Sequence, residues 1–99
     1  MRYTRLAKTS WIEIKTNIFH SDRIKLIEAL PQGDTILVIW FKLLVYAKKT
    51  NDDNLALSEE DMSLIFERPL SVIKLSLEVF QRYGLITLHD GVIRIIDDL

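Results

Sequence analysis

The sequence predicts a small α+β domain, mainly α, with a short N-terminal strand and a C-terminal β-hairpin. Three observations lead there. Residues 35–49 form an almost unbroken apolar run with Lys42 as the one charge before the closing lysines. Two shorter helical patterns at residues 58–66 and 71–83 are separated by Glu67-Arg68-Pro69-Leu70. The tail alternates apolar and polar residues around Asp90-Gly91, the strongest kind of two-residue hairpin signal.

The first ten residues carry Arg2, Arg5 and Lys8 with no acid and no period. They read as a basic N-terminal arm, either a solvated tail or an arm laid on phosphates, with residues 11–99 forming one domain. Residues 11–15 alternate, Ile12 and Ile14 on one side and Glu13 and Lys15 on the other, as a short strand does. Trp11 then falls on the polar side, to pack on the edge of the core or on a partner.

Ser21 or Asp22 caps the next helix, which runs to about Leu30 with Ile24, Leu26, Ile27 and Leu30 on its apolar face. Pro31 and Gly33 stop it. The run 35–49 follows, capped by Asp34 and closed by Lys48 and Lys49, whose charges suit the negative end of a helix dipole. A helix apolar nearly all round is buried on several sides. It is too short for a bilayer, which takes about 20 apolar residues. Its least apolar stripe is Thr35, Val38, Lys42, Tyr46 and Lys49, flanked by Ile39 and Val45. Either loops of the same chain cover that stripe or a second chain does, and a domain this small has little material of its own for the task. Trp11, Val38, Lys42 and Tyr46 are therefore the candidate oligomer interface.

Residues 50–54 read as a turn. Asn51-Asp52-Asp53-Asn54 lacks the Gly and distal Glu of a calcium loop, so no metal is expected there. Residues 55–57 make a short strand. Ser58 opens a capping box whose first turn holds Glu59, Glu60 and Asp61, and helix-dipole physics alone accounts for those acids. Met62, Ile65 and Phe66 form the buried side. Pro69 breaks the helix. Ser71 caps the next, with Val72, Ile73, Ser76, Leu77, Val79, Phe80 and Tyr83 inward, and Ser71, Lys74, Glu78, Gln81 and Arg82 outward. Gly84 ends it as a left-handed residue. In the hairpin, His89 faces Val92, Leu88 faces Ile93, Thr87 faces Arg94 and Ile86 faces Ile95. Leu88, Ile93, Ile86 and Ile95 then share the buried side.

Helix, helix, short strand, helix, four-residue turn, helix, hairpin is the order of a winged helix-turn-helix, here with an added N-terminal strand. In such folds the second helix of the motif enters the major groove and the wing reaches the backbone. Arg68, Lys74, Arg82 and Arg94, with Arg2, Arg5 and Lys8, are the candidate DNA-binding residues. The recognition stripe offers only Lys74 and Arg82, with Glu78 between them, so an ordinary solvated face is the competing reading.

Composition narrows the alternatives. Nearly half of the 99 residues are hydrophobic and about a quarter are charged, as in an ordinary globular domain. There is no cysteine, which removes disulfides and thiolate chemistry and fits a reducing cytoplasm. The N-terminus lacks the apolar segment of a signal peptide. The net charge is −1, but residues 1–25 carry +4 and residues 51–67 carry −6, so nucleic-acid binding would use a local patch. His20 and His89 are isolated, and no phosphate-binding loop, metal set or nucleophile–base pair is visible, so neither an enzyme nor a cofactor is expected.

Several segments also resemble a known family. Trp11-Ile12-Glu13-Ile14-Lys15-Thr16-Asn17-Ile18-Phe19, the stretch 25–49 with its Gly33-Asp34-Thr35-Ile36, Ile65-Phe66-Glu67-Arg68-Pro69-Leu70, and residues 80–86 look like the N-terminal domain of phage replisome organiser proteins. That domain is similar to the N-terminal domain of DnaD-type primosome proteins. The resemblance spans nearly the whole chain from Trp11 and rests mainly on structural motifs. It implies a winged-helix module of DNA replication initiation that self-associates on double-stranded DNA at a phage origin. It further implies a helicase or helicase loader as partner, no membrane, and the cytoplasm of the bacterial host cell as location. Longer members continue into a second domain, whereas this chain stops at Asp97-Asp98-Leu99, as an excised domain or a shortened protein would.

Overall fold

The computed structural model describes residues 11–52 and 54–97. A 3₁₀ turn at Ile18–His20 leads into four helices: α1 (Asp22–Glu28), α2 (Gly33–Thr50), α3 (Glu59–Phe66) and α4 (Leu70–Arg82). Three short strands complete the fold: β1 (Asn54–Leu55), β2 (Ile86–His89) and β3 (Val92–Ile95). They form one antiparallel sheet in the order β1-β3-β2. The result is the expected mainly helical, winged-helix-like α+β arrangement. The basic arm expected at residues 1–10 lies outside the described residues.

The apolar run becomes the central helix, as its composition requires. Ile36, Ile39, Trp40 and Leu43 of α2 are buried together with Ile24 and Ile27 of α1, Met62 of α3, and Ile73 and Phe80 of α4. At the centre the Trp40 and Phe80 rings sit 5.0 Å apart, tilted by 58°. A tilted aromatic pair of this kind adds about 1 kcal/mol beyond the area it buries.

Helix α2 begins two residues earlier than its apolar run, because of how closely it meets α1. A Cβ on Gly33 would stand 2.2 Å from the Ile27 carbonyl oxygen and 2.8 Å from that of Glu28. Only glycine lets the backbone of α2 start this close to the end of α1. Gln32 is consequently the N-cap, without a side-chain hydrogen bond, and Asp34 lies inside the first turn instead of capping it. At the other end Asn51 takes the left-handed conformation (φ 56°). The Asn51 and Asp52 amides donate to the carbonyls of Lys48 and Ala47. Lys48 and Lys49 occupy the last turn, as expected.

The helix-turn-helix forms where the sequence places it. The Ser58 hydroxyl accepts the Asp61 amide at 3.0 Å and caps α3. Glu67 ends α3 in the left-handed region (φ 55°). Helix α4 starts at Leu70 with Pro69 as its N-cap, so Ser71 sits in the first turn and does not cap. Gly84 (φ 73°) closes α4 as expected. Its amide donates to Gln81 and the Leu85 amide donates back to Phe80 at 2.9 Å, which satisfies carbonyls the helix leaves open.

The wing has the expected register at all four pairs, from Ile86↔Ile95 to His89↔Val92. Asp90 (φ 53°) and Gly91 (φ 76°) both have the positive φ of a type I′ turn. Leu55 pairs with Ile93, so the short strand joins the wing, although it covers Asn54–Leu55 and not residues 55–57.

Further expectations are corrected. Residues 11–15 are irregular, because alternation alone makes no strand without a neighbouring edge to bond. Leu26 and Leu88 are solvent-exposed, on α1 and near the wing tip, where none of the described residues covers them. Ile65 is also exposed, and α3 buries only Met62 and Phe66. Ile39, expected beside the outer stripe of α2, is fully buried.

Candidate nucleic-acid and self-association surfaces

Helix α4 presents two faces of opposite character. Ile73, Ser76, Leu77, Val79 and Phe80 are buried, and the Ser76 hydroxyl donates to the Val72 carbonyl at 2.8 Å, so no polar atom of that serine is stranded in the core. Lys74, Glu78, Gln81 and Arg82 are exposed on the opposite side with Ser71, as the helical spacing requires. Arg82 lies 3.5 Å from Glu78 one turn before it, which offsets part of its charge. This pair is more than half exposed and contributes little to stability.

The turn before α4 is tied tightly. The Ser63 hydroxyl donates to the Arg68 carbonyl, and the Arg68 amide donates to the Ser63 carbonyl. The Arg68 guanidinium folds back over its own turn, donating to the Glu67 carbonyl at 3.0 Å and the Phe66 carbonyl at 3.4 Å. It is half-buried, so this candidate phosphate ligand is already engaged. Arg94 is exposed on the central strand β3, on the face of the sheet opposite Ile93, flanked by Asn54 of β1 and Thr87 of β2. The candidate cations thus lie on the turn, one helix face and the outer face of the sheet. Arg2, Arg5 and Lys8 lie outside the described residues.

The candidate interface residues separate differently. Val38, Lys42 and Tyr46 line one shallow groove of about 420 Å³ between α2 and α3, shared with Val45, Ile65 and Phe66. Tyr46 and Phe66 meet edge to face along it, with ring centroids 6.4 Å apart. Trp11 is exposed on irregular chain and does not line this groove. Sequence reasoning missed Ile65 and Leu64 as surface residues. Leu64, the residue before Ile65, is 78% exposed. The signal was the brevity of α3: eight residues have one narrow inner stripe, and Met62 and Phe66 fill it.

One further tie was not legible in the sequence. Arg23 of α1 donates to the Tyr83 carbonyl at 3.3 Å and forms an ion pair with Asp97, so the first helix is fastened to the end of α4 and to the chain beyond the wing.

Among the described residues no cluster of three or more acidic or histidine side chains is placed to hold a metal ion. No helix among them is long and apolar enough to cross a membrane.

No curated protein and no solved structure is significantly similar to the chain. Residues 11–98 match the model of the N-terminal phage replisome organiser family, and that match runs from the irregular segment before α1 through the end of the wing. By its sequence across this whole fold, the chain belongs to the N-terminal phage replisome organiser family, a family of DNA replication.

Proposed function

We propose that this chain is a replication-initiation module that self-associates and binds duplex DNA at a phage origin in the host cytoplasm. There it helps recruit the helicase or its loader. The observation that carries the DNA-binding part is the division of α4 into two faces. One is locked against Trp40 and the core, and the other is an exposed stripe holding Ser71, Lys74, Gln81 and Arg82. A helix held rigidly by its apolar side, preceded by a tied turn and followed by a wing, suits docking in a major groove. The stripe holds few side chains that read base edges, so most contacts fall on phosphates. Fluorescence anisotropy of an origin-containing duplex at several salt concentrations tests this. Binding should be modest and should weaken steeply as salt rises. Salt-independent binding, or none, removes the proposal.

A second reading has its own support. Arg68 and Arg82 are both engaged within the chain, and the groove between α2 and α3 is apolar. Those facts favour a winged-helix domain whose main work is oligomerisation, or a transcriptional regulator, without direct origin contact. Light scattering with and without the duplex separates the two. An associated species whose mass rises further when the duplex is added supports the first reading, and one whose mass is the same with and without DNA supports the second.

A further inference from the structure

We infer that the groove between α2 and α3 is the seat of a second copy of this chain, entered by that copy's Leu64 in a two-fold interface. The inference rests on the self-association proposed above and specifies its surface. Leu64 is the most exposed of the large apolar side chains among the described residues, and on α3 it directly precedes Ile65, which lines the hollow with Val38, Val45 and Tyr46. One patch therefore carries both a projecting leucine and an apolar recess. A two-fold contact needs that combination, because the same surface must serve as both partners.

The charges point the same way. Lys42 and Lys49 line the groove, and no acid does. On α3, Glu60 and Asp61 are exposed one turn before Leu64. None of these four side chains has an ion-pair partner among the described residues. The spacings agree as well. Along a helix rising about 1.5 Å per residue, Val45 lies about 5 Å from Lys42 and about 6 Å from Lys49, and Leu64 lies about 6 Å from Glu60. A second α3 that sets its Leu64 over Val45 brings its acids within reach of a lysine. The two-fold repeats this contact, so each copy's acids meet the other's lysines. Duplex DNA fits the patch poorly, because Glu60 and Asp61 repel phosphate and Leu64 gains nothing from it.

The experiment is sedimentation equilibrium of the full chain, its Leu64→Glu variant, and two charge variants, Lys42→Glu/Lys49→Glu and Glu60→Lys/Asp61→Lys. Circular dichroism checks that each is folded. The parent should associate. Leu64→Glu should weaken association more than about tenfold, because it removes the apolar side chain and buries a carboxylate in an apolar recess. Each charge variant alone should do the same, because like charges then face each other across the interface. An equimolar mixture of the two charge variants should associate again as a mixed dimer, because both sets of opposite charges are restored. A merely destabilised fold would not produce that recovery. If the parent associates and all three variants associate equally well, the interface lies elsewhere: this inference is overturned and self-association stands. A parent that stays monomeric at high micromolar concentration overturns both, and leaves the groove to an acidic helix of a different protein.

Discussion

Ser63 and Arg68 hold each other twice: the Ser63 hydroxyl donates to the Arg68 carbonyl at 2.6 Å, and the Arg68 amide donates to the Ser63 carbonyl at 3.2 Å. The pair closes the turn of the helix-turn-helix and fixes where α4 starts. Ser63→Ala removes the side-chain half of this tie. A hydrogen bond of this kind contributes about 1 kcal/mol. Alanine's better helix propensity, about 0.5 kcal/mol, offsets part of the loss. A net destabilisation of about 0.5 kcal/mol is expected, read as a lower urea midpoint with an unchanged slope. A higher midpoint would mean that the turn holds without the serine.

Gly33→Ala tests the approach of α1 to α2. The new methyl would overlap backbone carbonyls that have no freedom to rotate away. The helices must separate, and strain of this sort costs about 1–3 kcal/mol or more. In an exposed helix the same change would stabilise by about 1 kcal/mol, so even the sign of the measured effect is diagnostic.

Gly91→Val tests the wing. A β-branched side chain at φ 76° is strained in the left-handed region. The hairpin carries β3, the central strand, so its strain reaches the whole sheet. For a domain of this size about 1 kcal/mol corresponds to a fall of roughly 4–8 °C in Tm, and at least that shift is expected. An unchanged melting temperature would contradict the turn geometry.

Lys74→Ala with Arg82→Ala tests the proposed DNA surface. If each side chain meets one phosphate, the log–log salt slope should fall by about 0.9 for each, with affinity lost on all sequences alike. Anisotropy titrations on two unrelated duplexes measure both effects. Should the double variant bind as tightly as the parent, α4 does not carry the DNA contact.

The features legible in the sequence were those fixed by local chemistry. Asp90-Gly91 set the hairpin register, because a two-residue turn leaves one way to pair the flanking residues. Gly84 and Ser58 marked helix ends through backbone conformation and a side-chain cap. The apolar run marked the central helix, since no other placement buries it. What escaped was non-local. Residues 11–15 have a strand's alternation, but a strand also needs an edge. The start of α2 was set by a helix–helix approach that Gly33 permits, not by Asp34. The exposure of Leu64 and Ile65, and the folding back of Arg68, depend on which neighbours arrive in space. These residues bear directly on the candidate surfaces, so the fold was easier to read than the site.

The strand order β1-β3-β2 has a consequence for how the chain is made. The last of the three described strands lies in the middle and supplies the partner for both others. While the protein emerges from the ribosome, Leu55 has no strand to pair with until Ile93 appears, and Arg23 must wait still longer for Asp97. Helices α1 and α2 can pair early, but the sheet cannot be completed from the front. Completion of the sheet is therefore gated by residues 92–97, and a chain lacking β3 would keep two strands with nothing between them.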